Sequence, residues 1–198
     1  NKEIVSLINR HGGNAVGITG KDGDLIMAKR HKKGKKQSAE TNRPEIIDLG
    51  LVGEITKVNP RILETLDKNE FVPVIAPIGK EGDGTTLNIN ADFVASKIAS
   101  ALKAEKLILM TDTEGVKNKT GKLQSGLTKK EVAAMIKEKV IKDGMLPKVK
   151  CCLDALKAGV HKTHIVDGRV QHALLLEIFT EDGIGTQIVE KKLDLTAS

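Results

Sequence analysis

The chain has 198 residues, enough for one large domain or two small ones. Hydrophobic residues make up 39% and charged residues 29%, so it can bury a core and is not a disordered tail. The net charge of +6 is local: it equals the contribution of Lys29, Arg30, Lys32, Lys33, Lys35 and Lys36, and the other 26 basic residues match the 26 acidic ones.

With no Trp or Tyr and only Phe71, Phe93 and Phe179, the chain lacks the ring faces on which single-stranded nucleic acids stack. No apolar run approaches the ~18–20 residues of a membrane span, and no signal-peptide core opens the sequence. Neither nucleic acid nor membrane is expected as a partner. Cys151 and Cys152 are adjacent and make no long-range framework, which predicts a reducing, cytoplasmic setting. The chain opens at Asn1, without Met and inside a helical pattern, which suggests a piece of something longer.

Along the chain the pattern alternates strand and helix. Ile4, Val5, Leu7 and Ile8 fall at helical spacing and stop at Gly12-Gly13, a C-cap signal. Residues 14–19 (NAVGIT) read as a buried strand, turned by residues 20–23 into a hairpin with residues 24–29. The basic stretch then reads as a solvated loop, and residues 46–58 as one or two strands. Asn59-Pro60 opens a helix, with Asn as N-cap and Pro in first position.

Residues 71–77 are a strand, 79–84 a glycine-rich loop, 90–102 a helix and 106–110 (KLILM) a central parallel strand. A polar hairpin spans 116–123, and Thr128 with Glu131 makes a capping-box pattern opening a helix through Ile136. Residues 146–158 form a second helix closed by Gly159, followed by a strand at 162–166, a helix at 174–179 and a last strand at 185–189. Repeated βα units predict an α/β fold with helices on a largely parallel sheet. No composition break divides it, so it reads as one domain.

Several motifs lead nowhere. Residues 79–85 (GKEGDGT) carry Thr85 where a P-loop needs Lys, and read as a plain turn. Asp22-Gly23-Asp24 lacks the downstream Glu of a calcium loop and reads as a hairpin turn. No Cys or carboxylate completes a zinc set around His161 and His164, so no metal site is expected. Cys151 and Cys152 sit in a helical pattern as packing residues.

Three segments hold more. Asn88, Asn90 and Asp92 stand at alternate positions running from a strand into a helix start; on a strand they share one face. A polar strand end with an Asx cap accounts for them equally well. Residues 111–116 (TDTEGV) follow the KLILM strand, where ligands of α/β sheets bind, although any strand exit can look like this. Residues 143–148 (DGMLPK) place Lys148 at a helix start. The positive end of the helix dipole disfavours a lysine there, so it is either plain surface or kept for an anion.

In this order, NINAD, LILMTDTEGV and DGMLPKV, with RHGGNAVGITGKDG before them and HALLLEIFTEDGIGT after, resemble the N-acetylglutamate kinases of the amino acid kinase family. The match runs to about Glu190, with residues 191–198 as a tail. The resemblance implies a three-layer αβα sandwich and phosphoryl transfer from ATP to the side-chain carboxylate of N-acetyl-L-glutamate, a step of arginine biosynthesis. It assigns Asn88 to substrate, Asp92 to orienting the catalytic lysines, and Lys148 to the transferring phosphoryl group. It assigns Asp112, Thr113, Glu114, Gly115, Val116 and Lys117 to the nucleotide, with Val140, Ile141 and Lys142 opposite. ATP comes with Mg²⁺ held mainly by its phosphates.

His164, Glu177 and Gly183 resemble positions that bind feedback arginine in sensitive members, and the intact enzymes are homo-oligomers. The family also carries an N-terminal half with glycine loops, a second lysine and a substrate-gripping arginine. None precedes Asn1, so this chain is expected to be incomplete for catalysis. The rival readings are a kinase for another amino acid carboxylate, and a non-catalytic module binding nucleic acid or other anions through the basic stretch.

Overall fold

The computed structural model describes residues 1–31, 34–37, 44–47, 50–180 and 183–191. The chain divides into two compact units, residues 1–94 and 95–198.

In the first unit, helix α1 (Lys2–Arg10) ends at His11, and Gly12 takes φ +87° beyond it, as a helix exit requires. Strand β1 (Ala15–Thr19) follows, then β2 (Ile26–Arg30), β3 (Gly34–Gln37), β4 (Pro44–Ile47) and β5 (Gly53–Val58). Helix α2 (Arg61–Lys68) leads to β6 (Val72–Ala76), β7 (Ile78–Lys80) and β8 (Thr86–Asn88).

The expected hairpin between residues 14–19 and 24–29 does not form. β1 pairs in parallel with β6, apolar run against apolar run, and β2 pairs with β5 and β7 instead. The cause is local. Asp22 accepts hydrogen bonds from the Thr19 amide (2.7 Å) and hydroxyl (2.9 Å), and residues 22–24 wind into a 3₁₀ turn with Gly23 at φ +59°. That turn carries the chain away from β1 rather than folding it back.

Other boundaries shift for equally local reasons. Helix α2 takes Pro60 as N-cap, while the Asn59 side chain accepts the Arg61 amide at 3.4 Å and donates to the Gly23 carbonyl at 3.0 Å. The basic stretch is not all loop, because β3 and β4 pair antiparallel across it; Lys32 and Lys33 lie outside the described residues. The loop expected from residue 79 starts later: Gly79 and Lys80 belong to β7, and residues 81–85 are the turn between antiparallel β7 and β8, with Asp83 accepting from the Thr85 amide.

Helix α3 (Ala91–Leu102) runs into the second unit, which continues with β9 (Lys106–Thr111), β10 (Gly126–Thr128) and α4 (Lys129–Lys137). Then come α5 (Met145–Lys157), β11 (Lys162–Asp167), α6 (Ala173–Phe179) and β12 (Thr186–Val189). The sheet order is β10-β12-β11-β9, parallel except between β11 and β12.

Register explains the layering. Leu107 and Leu109 stand opposite Thr163 and Ile165, with Ile188 beyond them, so one face presents an apolar band. Val149, Cys152, Ala155 and Leu156 of α5 cover that band and complete the core. His164, one residue out of phase, points to the opposite face and meets Glu177 of α6. Helices on both faces give this unit the αβα layering expected of the fold class.

Thr128 and Glu131 form the capping box in full, each side chain accepting the other's amide. Helix α5 accommodates Pro147 in its first turn, where the missing N–H costs no ladder bond. It ends in a Schellman motif: Gly159 sits at φ +100°, and the Val160 and Gly159 amides return to the Ala155 and Leu156 carbonyls. Cys151 and Cys152 are buried and unbridged, as the packing reading expects. Among the described residues, no helix is long and apolar enough to cross a membrane.

Candidate functional site

The first unit supplies Asn88 and Asp92. Asn88 ends β8; its amide donates to the Leu51 carbonyl (2.7 Å), its side chain is exposed, and Leu87 and Ile89 on either side are buried. Asn90 is an Asx cap, its Oδ1 accepting the amides of Asp92 (3.0 Å) and Phe93 (3.3 Å). Of the three residues expected to share a strand face only Asn88 belongs to the strand, and Asp92 is the second residue of α3. Its carboxylate lies in a first helical turn, where the dipole favours an anion.

In the second unit, the loop after β9 and the loop before α5 converge. Thr113, Gly115, Val116, Lys117, Val140, Ile141, Lys142 and Met145 line a cavity of about 260 Å³, just under the ~300 Å³ at the low end of small-molecule sites. These two segments lie more than twenty residues apart in sequence, and β9 and α5 bring them together. Of the expected residues, Asp112 and Glu114 do not line the cavity. Glu114 instead pairs with Lys117 at 2.7 Å, and the Thr111 hydroxyl approaches Asp112. Lys148 is half-buried in the first turn of α5, three residues after Met145.

The loop's shape is set from beneath. Gly115 has φ +138°, and a Cβ there would stand 2.6 Å from the Thr186 hydroxyl. That position needs glycine. The Val116 amide donates to the same hydroxyl at 2.8 Å, and both residues are buried. Sequence reading missed Thr186 and Met145. Neither carries a motif, and only the strand-end geometry draws attention to them.

A second cluster lies at the end of β11. Asp167 accepts the Arg169 amide (3.0 Å), Nε (2.9 Å) and Nη2 (2.8 Å), and these bonds hold its carboxyl at about 2, well below the usual 3.8. The guanidinium is held above its ordinary value by Asp167 first, then by the charges of Asp112 and Glu114 in the neighbouring loop.

On the α6 side, His164 Nδ1 and Glu177 Oε1 lie 2.7 Å apart, with both side chains buried. Glu177 Oε2 accepts the amides of Ile184 (2.8 Å) and Gly185 (3.1 Å). Burial pushes the Glu177 carboxyl up, but the bonds from His164 and the two amides prevail and leave it lowered. Gly183, at φ +57°, packs against that carboxylate. His164 Nε2 is buried without a hydrogen-bond partner among the described residues. So the structure does bring His164, Glu177 and Gly183 together.

Two larger hollows are less specific. One of about 580 Å³ lies at the opposite strand ends, where Lys129 pairs with Glu190 and His161 with Glu105. The other, about 450 Å³, runs along α4. Among the described residues, no group of three or more His, Cys, Asp or Glu side chains is placed to hold a metal.

Comparison with known proteins agrees with this architecture. The chain is 56% identical over 188 residues to an acetylglutamate kinase of Desulfotalea psychrophila, covering 95% of this chain and 63% of the relative. It is 58% identical over 189 residues to the acetylglutamate kinase of Syntrophobacter fumaroxidans, covering 96% and again 63%. It thus spans under two thirds of the length of these curated relatives. Among solved structures, N-acetylglutamate synthase from Neisseria gonorrhoeae, complexed with coenzyme A and L-arginine, superposes with a TM-score of 0.73 at 24% identity. That likeness covers 90% of this chain and 38% of the synthase, and it concerns the fold. The amino acid kinase family matches residues 1–167, and over that span the chain belongs to it.

Proposed function

We propose that this chain is the nucleotide-side part of a kinase that transfers a phosphoryl group from ATP to the side-chain carboxylate of N-acetyl-L-glutamate. The observation that carries this reading is the cavity where residues 113–117 meet residues 140–142, beside the helix start bearing Lys148. Relatives more than half identical over 95% of the chain are acetylglutamate kinases, which favours this acceptor over other amino acids and over a nucleic-acid module.

The residue types suit the chemistry. The attacking carboxylate is already ionised at neutral pH, so no general base is needed. The obstacle is bringing two anions together, and a lysine at the transferred phosphoryl group offsets it as a compact charge. Lys148 has that role, Asp92 orients it, and Asn88, a neutral amide, holds substrate without adding repulsion. Mg²⁺ would arrive on the ATP phosphates. Such an enzyme belongs in the cytoplasm as a homo-oligomer, where the buried thiols stay reduced.

We read His164, Glu177 and Gly183 as a feedback arginine site. The support is the buried His164 Nε2, a polar atom without a partner among the described residues, beside an ionised carboxylate.

Titration of this chain with MgADP should show weak binding, and a coupled ADP-release assay on it alone should show no turnover with N-acetyl-L-glutamate. Fusion to the part of the relatives that it does not span should restore turnover. Saturation of the fusion by aspartate or glutamate, rather than by the acetylated substrate, would sink the reading.

A further inference from the structure

Two features of the second unit are joined by a continuous set of short contacts. At one end is the loop that lines the strand-end cavity; at the other is the buried His164–Glu177 pair on the far face of the sheet. Glu177 Oε1 takes the His164 ring, and its Oε2 takes the amides of Ile184 and Gly185. Gly185 lies close against β11: a Cβ there would stand 2.3 Å from the Ile165 carbonyl, so no side chain fits at this position. The entry to β12 is therefore held between that carbonyl and the Glu177 carboxylate. The next residue, Thr186, is fully buried and presents its hydroxyl to the Val116 amide at 2.8 Å. Residues 185 and 186 thus carry the connection, Gly185 by its backbone amide to Glu177 and Thr186 by its side-chain hydroxyl to Val116.

We infer that Thr186 is a positioning residue of the cavity loop, and that the His164–Glu177 pair fixes Thr186 where the loop needs it. The inference rests on the nucleotide reading of the cavity. The Gln124 amide holds the Val116 carbonyl at 2.9 Å and Lys117 bridges Leu123, while the Val116 amide turns the other way, to the Thr186 hydroxyl. Gly115 beside Val116 occupies a positive φ, and the Val116 amide is buried, so losing its acceptor leaves an N–H that water cannot reach. A change at Glu177 loosens the amides of residues 184 and 185 first, and Val116 next.

The test is hydrogen exchange at the Val116 amide together with MgADP titration, on this chain and on T186V, T186S and E177Q. T186V keeps the volume and removes the acceptor. We expect Val116 exchange to accelerate roughly tenfold and MgADP affinity to fall roughly three- to tenfold. T186S keeps the hydroxyl and should return both to within about twofold. E177Q touches neither Thr186 nor Val116, yet should accelerate Val116 exchange, and its effect on MgADP binding should not add to that of T186V. If E177Q does not fold, His164→Ala gives the same readout, since it frees Glu177 Oε1 and lets the carboxylate draw away from the two amides.

Unchanged Val116 exchange in T186V, or T186S behaving like T186V, would overturn the positioning role. Unchanged Val116 exchange in the Glu177 and His164 variants would overturn the link to the pair. If this chain binds no MgADP, the nucleotide reading fails instead, and the exchange measurements still decide whether the tether exists.

Discussion

Asp167 closes β11 with a carboxylate that accepts both Nε and Nη2 of Arg169, at 2.9 and 2.8 Å, while its backbone stands opposite Thr111 at the end of β9. The Gly168 amide extends that pairing by donating to the Thr111 carbonyl at 2.8 Å. The ion pair therefore sits where two strands release the loops that matter. Since Asp112 and Glu114 also raise the Arg169 value, the exits of β9 and β11 are linked by charge as well as by backbone.

This pair has a pH signature. The Asp167 carboxyl lies at about 2 in the folded chain, against an ordinary 3.8. A depressed carboxyl contributes stability that is fully present above the unfolded value and is lost as pH falls through the folded one. Between pH 4 and 2, unfolding should then take up as much as about one proton at this site. Asp167→Asn should remove that uptake. Urea unfolding across that pH range, compared between the two chains, reads the difference as a shallower slope of stability against pH in the variant.

Lys148→Ala, in a protein completed by the segment the relatives carry, should lower turnover about 10²–10³-fold, the range for losing one preorganised electrostatic contact. The Michaelis constant for ATP should change far less, because phosphoryl charge concentrates there during transfer. Steady-state kinetics with both substrates varied gives both quantities. Turnover near that of the parent would remove Lys148 from the mechanism.

Asn88 and Asp92 should separate in the same assay. Asn88→Ala removes an exposed amide at a strand end and should mainly raise the Michaelis constant for N-acetyl-L-glutamate. Asp92→Asn should mainly reduce turnover, if its proposed role of orienting the catalytic lysines holds. Matching defects in the two variants would show that the division of roles is wrong.

Gly115→Ala tests the cavity loop without removing any polar group. The new Cβ would meet the Thr186 hydroxyl at 2.6 Å, at a φ of +138° that L residues rarely adopt. A cost of about 1–3 kcal/mol is expected from the strain. Urea denaturation measures it, and MgADP binding should weaken in parallel. A variant as stable as the parent would mean that the loop relaxes freely.

The sequence by itself determined the local elements of this chain, and for physical reasons that stay local. The KLILM run could only be a strand, with Leu107 and Leu109 buried, although β9 stands at the end of its sheet and not at the expected central place. Thr128 and Glu131 could only cap one another, and Gly159 could only end a helix that Pro147 had entered in its first turn. Resemblance marked both cavity-lining segments, because residue identity in a short loop survives without knowledge of the fold. What the tertiary structure decided was partnership. Residues 15–19 and 26–30 look like a hairpin when read along the chain, yet they pair with β6, β5 and β7, because strand pairing is settled by distant apolar runs and by one 3₁₀ turn. Thr186, Met145 and the Asp167–Arg169 pair carry no pattern in sequence. Their importance arises where strands end side by side, and which strands do so depends on hydrogen bonds between segments far apart in the chain.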